Sequence, residues 1–103
     1  MPTAYVTAPR AAAPELAEVL VEERLAACVN LVECQSTYRW NGAIHHDPES
    51  ILFVKTSADR YEAMADRLER EHPNDVPCIE RIDEDLILPR FARWRDDAVG
   101  ETG

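Results

Sequence analysis

The dipeptide Asn41-Gly42 lies between two β-rich runs, and no other feature restricts the fold of this chain as much. Asn-Gly is the strongest short hairpin signal, because a type I′ turn needs positive φ at both central residues and these two tolerate it best. The run before it, Cys28 to Trp40, is β-branched and aromatic. The run after it, Ala43 to Thr56, contains Ile51-Leu52-Phe53-Val54, apolar at every position. A strand of that kind buries both faces, so the second arm of the hairpin predicts a central strand. Pro48 interrupts the same arm and points to a bulge or to a stretch of sheet edge.

The flanking segments supply the rest. Residues 3 to 8 are β-compatible and closed by Pro9, which reads as a first strand. Pro14 suits the first turn of a helix, with Glu15 and Glu18 at the positive end of its dipole. Leu16, Val19, Leu20, Glu23 and Ala27 share a face, which predicts an amphipathic helix to about Ala26. Ser57 or Asp59 is a candidate cap for a second helix, with Tyr61, Met64, Ala65 and Leu68 as its buried stripe and His72-Pro73 as its stop. Cys78 to Ile82 reads as a fourth strand, and Ile87, Phe91, Trp94 and Ala98 recur with the period of a short C-terminal helix. The order β-α-β-β-α-β plus a helix is an α+β, ferredoxin-like split βαβ arrangement. At 103 residues the chain has room for one core, so residues 1–103 are expected to form a single domain.

Charge narrows the function classes. Twenty acidic against eleven basic residues give a net charge of −9, which a nucleic-acid backbone would repel. The only lysine is Lys55, the other bases being arginines. An acidic surface almost free of lysine matches a salt-rich cytoplasm, and an ordinary acidic protein is the plainer reading. The longest apolar runs are a handful of residues, so neither export nor membrane insertion is expected. Cys28 and Cys34 lie roughly 20 Å apart on a straight strand, too far for a disulfide. With Cys78 they read as reduced thiols in a cytoplasmic protein.

Candidate chemistry is sparse. The chain has no glycine-rich phosphate cradle, no nucleophile elbow and no dinucleotide fingerprint. His45 and His46 are neighbours on a strand and point to opposite faces, so they read as hairpin surface. The segment from His72 to Glu80 is richer: two prolines stiffen a loop carrying His72, Asp75 and Cys78, all potential ligands for copper or zinc. A loop that simply stops a helix accounts for the same prolines. Lys55 ends a doubly apolar strand, where its ammonium snorkels to the sheet edge, pairs with a carboxylate or borders a ligand cleft. Cys28 and Cys34 read as small packing residues.

These motifs taken together resemble a known family. Val6-Thr7-Ala8-Pro9, the block from Val21 to Asn30 with Glu22-Glu23-Arg24-Leu25-Ala26-Ala27-Cys28 at its centre, Tyr38-Arg39-Trp40-Asn41-Gly42, Lys55-Thr56, His72-Pro73 and Trp94 resemble the CutA divalent-cation tolerance proteins over roughly residues 3 to 97. The resemblance implies a non-enzymatic, PII-like homotrimer whose hairpin arms reach neighbouring subunits, with no required cofactor and a role in the response to divalent metal ions. It implies copper ligands at a first-strand cysteine, at a histidine and at a glutamate after the following proline. Here His72 keeps the histidine, whereas Val6 and Cys78 stand at the other two positions, so copper or zinc is expected to bind weakly, through His72 and Cys78 with Asp75. The family pattern also places Trp40, Glu49, Lys55, His72 and Trp94 near clefts between subunits. The alternative that it implies is a PII-like scaffold taking a small anion or a partner protein there, with Arg39 and Lys55 as counter-charges.

Salt tests the charge reading. Three chains at −9 each repel one another, and dissolved ions screen that repulsion. Melting temperature is expected to rise from low to molar NaCl in thermal scans; a flat or falling curve contradicts salt adaptation.

Overall fold

The computed structural model describes residues 2–100. In chain order its elements are β1 (Pro2–Pro9), α1 (Ala13–Glu22), β2 (Cys28–Trp40), β3 (Ala43–Lys55), α2 (Tyr61–Glu71), β4 (Cys78–Asp83) and α3 (Pro89–Val99). The strands form one antiparallel sheet in the order β2-β3-β1-β4. This is the expected α+β, ferredoxin-like topology. Asn41 and Gly42 both have positive φ, 50° and 79°, as a type I′ turn requires.

Strand alternation sorts the side chains onto two faces. On one face Ala4, Val6 and Ala8 of β1 and Leu52 and Val54 of β3 are fully buried, together with Leu16 and Leu20 of α1 and Met64 and Leu68 of α2. Each large side chain removed from water there contributes about 1.5–3 kcal/mol. The opposite face is read in rows across the strands: Val32, Ile51, Thr7 and Cys78 form one, and Asn30, Phe53, Tyr5 and Glu80 the next. Tyr5 and Phe53 meet edge to face, with ring centroids 5.8 Å apart. β3 is therefore the central strand that Ile51 to Val54 predicts.

β1 ends while the hairpin continues. Pro9 pairs with Glu49, and beyond that point the outer parts of β2 and β3 run on as a two-stranded ribbon. Pro48 sits at this transition. Its pairing with Gln35 keeps the register, so there is no bulge. Its carbonyl accepts from the Arg10 N–H at 3.4 Å, on the side that β1 has just vacated. The missing N–H of Pro48 points the same way, where a ladder bond is no longer made.

Two elements depart from the sequence pattern. α1 stops at Glu22 instead of Ala26, because Arg24 takes φ 60°. The Arg24 N–H bonds to the Val21 carbonyl and the Leu25 N–H to the Leu20 carbonyl, a Schellman stop with arginine in the place glycine usually fills. Glu23 consequently leaves the helix face and grips Arg67 of α2 through both carboxylate oxygens, at 3.0 and 2.9 Å. α3 begins at Pro89, two residues after Ile87, and buries Ala92, Arg95 and Val99. The stripe containing Phe91 and Trp94 faces outward, and those two rings lie 5.7 Å apart on the surface. For α2, Ser57 supplies the cap one turn early: its hydroxyl accepts from the Arg60 N–H at 3.2 Å.

The turn gives a direct test. A Cβ at Gly42 would meet nothing within 4 Å, so any cost of substitution there comes from the backbone alone. Gly42→Val is expected to lower the unfolding free energy by about 1–2 kcal/mol, measured by urea titration. An unchanged midpoint would contradict the turn assignment.

Candidate functional site

The open face of the sheet and the ribbon share a cavity of about 380 Å³. Thr7 of β1, Glu49 of β3 and Cys78 of β4 line it from the sheet, and Tyr38 and Trp40 from the ribbon. For Trp40, next to the turn, to share a cavity with Cys78, the ribbon has to bend back over the open face. The loop after α2 closes the third side with Asn74, Asp75 and Val76. A second cavity adjoins it, sharing Tyr38, Glu49 and Asn74 and adding Arg10, Asp47 and Pro48.

Tyr38 is the hinge between the two. Its hydroxyl donates to Asp47 in a short hydrogen bond, and that carboxylate, with some desolvation, raises the phenol above its usual range. His45, directly opposite on β3, stacks on the ring at 5.5 Å with the planes 17° apart. His46 faces the other way and meets the Thr37 hydroxyl at 3.0 Å, as strand alternation requires. Arg10 is engaged below: Nη2 donates to the Cys34 carbonyl at 2.8 Å, and Nη1 lies 3.9 Å from Glu33.

His72 is buried at the end of α2, behind the loop. Its Nε2 lies 2.8 Å from the Thr7 carbonyl, which only accepts, so Nε2 carries the proton. Its Nδ1 accepts from the Asn74 N–H at 3.1 Å. Both ring nitrogens are thereby spent on holding the loop to β1. Burial pushes the Cys78 thiol up, the neighbouring Glu80 adds to this, and the thiol donates to the Glu80 carboxylate at 3.5 Å. Among the described residues no three His, Cys, Asp or Glu side chains gather into a metal cage. A metal takes an imidazole lone pair, and both His72 nitrogens are already bonded. The donor set of His72, Cys78 and Asp75 does not fit a resident copper or zinc ion. Val6 is fully buried among the helices, on the sheet face opposite to that of Cys78.

The structure thus brings together Trp40, Glu49, Asp75 and Cys78, drawn from both the metal and the cleft expectations. It keeps the others apart. Arg39 lies opposite Ile44 and points away from the face carrying Tyr38 and Trp40. Lys55 is at the far end of β3, in the row of Cys28 and Thr3, and forms no ion pair with a described residue. Trp94 is on α3, half exposed. Thr7, Asn74 and Val76 have no place in the sequence-derived site. Tyr38 carried a signal in its place two residues before Trp40, on the same strand face. Cys28, Cys34 and Cys78 are free thiols, and no described helix is long and apolar enough to cross a membrane.

Comparison with known proteins agrees with this architecture. The family model of the CutA1 divalent ion tolerance protein matches residues 3–98. The divalent-cation tolerance protein CutA of Pyrococcus horikoshii is 39% identical over 82 residues, covering 80% of this chain and 80% of that protein. The solved structure of the PII-like protein CutA from Nostoc sp. PCC 7120 superposes with a TM-score of 0.93 at 28% identity, covering 97% of this chain and 98% of that one. The structure of the periplasmic divalent cation tolerance protein CutA from Archaeoglobus fulgidus gives 0.91 at 33% identity, covering 97% and 100%. The chain belongs to the CutA1 divalent ion tolerance family and has its PII-like fold.

Proposed function

We propose that the protein is a non-enzymatic homotrimer that serves the response to divalent metal ions through ligand or partner binding in clefts between its subunits. The observation that carries this reading is the ribbon beyond Pro9. A two-stranded ribbon is marginal in water by itself, and this one exposes Trp40 and Ile44 along with a bare edge of β3. Pairing and packing against another copy of the chain satisfy both, and the outward Phe91–Trp94 pair adds apolar surface of the same kind. In such an assembly Arg39, Lys55 and Trp94 reach a cleft from neighbouring subunits.

The chemistry of the cavity supports a binding role over a catalytic one. His72 has no free nitrogen to act as a base, and Cys78 is held as a thiol by burial. Copper or zinc is, in this reading, weakly held and dispensable to assembly. The free thiols fit a reducing, cytoplasmic location.

Two measurements test these statements. Light scattering of a dilute sample is expected to give three times the 11.7 kDa chain mass, unchanged by a chelator; a folded monomer overturns the trimer, and dissociation on chelation makes the metal structural. His72→Ala removes the partners of the Thr7 carbonyl and the Asn74 amide. It is expected to cost about 2–3 kcal/mol of unfolding free energy and to leave zinc titration curves as in the wild type. Lost zinc binding with unchanged stability would instead make His72 a ligand.

A further inference from the structure

We propose that the cavity beneath the ribbon takes a small organic cation, an ammonium or guanidinium group seated between the Tyr38 and Trp40 rings and the Glu49 and Asp75 carboxylates. The inference rests on the ligand-binding reading above and names the class of ligand. Its starting point is what lines the cavity: two aromatic rings, two carboxylates and no basic side chain, with His45 stacked on one face of the Tyr38 ring. Aromatic faces attract cations through their quadrupole, and a carboxylate at the rim supplies the counter-charge. The volume, about 380 Å³, is that of a small-molecule site.

The surroundings point the same way. The adjoining cavity adds a further carboxylate, Asp47; its one basic side chain, Arg10, gives Nη2 to the Cys34 carbonyl and places Nη1 3.9 Å from Glu33, while its buried Nε has no partner among the described residues. The Tyr38 hydroxyl donates its hydrogen to Asp47, which holds the ring in place and leaves the phenol neutral. The chain as a whole carries −9, a field that concentrates cations and repels anions. A compact inorganic cation finds no cage of three ligands among the described residues, and the aromatic walls favour a larger, weakly hydrated ion over a strongly hydrated one.

Isothermal titration of the native assembly at one fixed NaCl concentration tests this with three probes: choline, its neutral isostere dimethylbutanol, and butyrate. Choline is expected to bind at least tenfold more tightly than dimethylbutanol, with no measurable binding of butyrate. Trp40→Leu and Glu49→Gln are each expected to weaken choline by about tenfold. Both positions lie outside the buried core, and thermal melting of each variant verifies folding. No heat with choline, equal binding of the neutral isostere, indifference to both substitutions, or a preference for butyrate that Lys55→Gln abolishes would each overturn the cation assignment. Light scattering on the same samples keeps the two questions apart. A trimer that ignores choline refutes the ligand class alone, and a monomer that binds it refutes the trimer and upholds the ligand class.

Discussion

The ladder between β2 and β3 governs the rest of the molecule because it is longer than anything beside it. Its inner half is flanked by β1 and completes a four-stranded sheet, and its outer half has no third strand. The inner half fixes the core, since Leu52 and Val54 meet the helices. The outer half bends over the open face and makes a wall of the cavity. One unbroken register therefore couples a stable sheet to an under-supported ribbon, and the candidate site occupies the junction. The loop that closes the site is tied to that sheet in turn, by His72 reaching from the end of α2 to the Thr7 carbonyl.

The segment that most resembles the family has a structural task. Glu22 ends α1, Glu23 clamps Arg67, Arg24 turns the chain at positive φ, and Leu25 and Ala26 are buried. The Leu25 carbonyl accepts from the buried Thr56 hydroxyl at 2.7 Å, and the Ala27 N–H donates to the Lys55 carbonyl at 2.8 Å. Residues 22–27 thus splice a helix end into a sheet, which gives this part of the motif a structural task of its own. It also accounts for Lys55-Thr56 among the family's recognisable pairs, because both residues receive or donate the bonds of that splice.

The hairpin and the central strand were legible in the sequence because each rests on a local rule, positive φ at Asn41-Gly42 and apolar residues on both faces from Ile51 to Val54. The early end of α1 was not, since it depends on an arginine adopting a conformation for which glycine is the usual signal. The C-terminal stripe was read from its period, but periodicity reports apolar surface and is silent on which partner covers it. Half of the candidate site was visible: Trp40, Glu49, Asp75 and Cys78 were named, though as members of two different sites. Their union with Thr7, Tyr38 and Asn74 comes from a bend of the ribbon, a tertiary property without a sequence period. The bonding of the expected metal donors is likewise invisible in residue type. His72 is present, but the loop it anchors consumes both of its nitrogens.

Pro48 has a consequence for how the chain meets other strands. An exposed β edge is a template on which another strand can add, and repeated addition leads to fibres. At the point where β1 stops, Pro48 offers a carbonyl, already taken by Arg10, and no donor at all. A stray strand trying to continue the sheet along β3 loses a rung at its first step outward. Within the chain the defect costs nothing, because β1 has already ended there, and a partner strand that pairs along β3 has to do so beyond Pro48. The uncapped edge of β3 thus begins at a residue that has nothing to donate to an incoming strand.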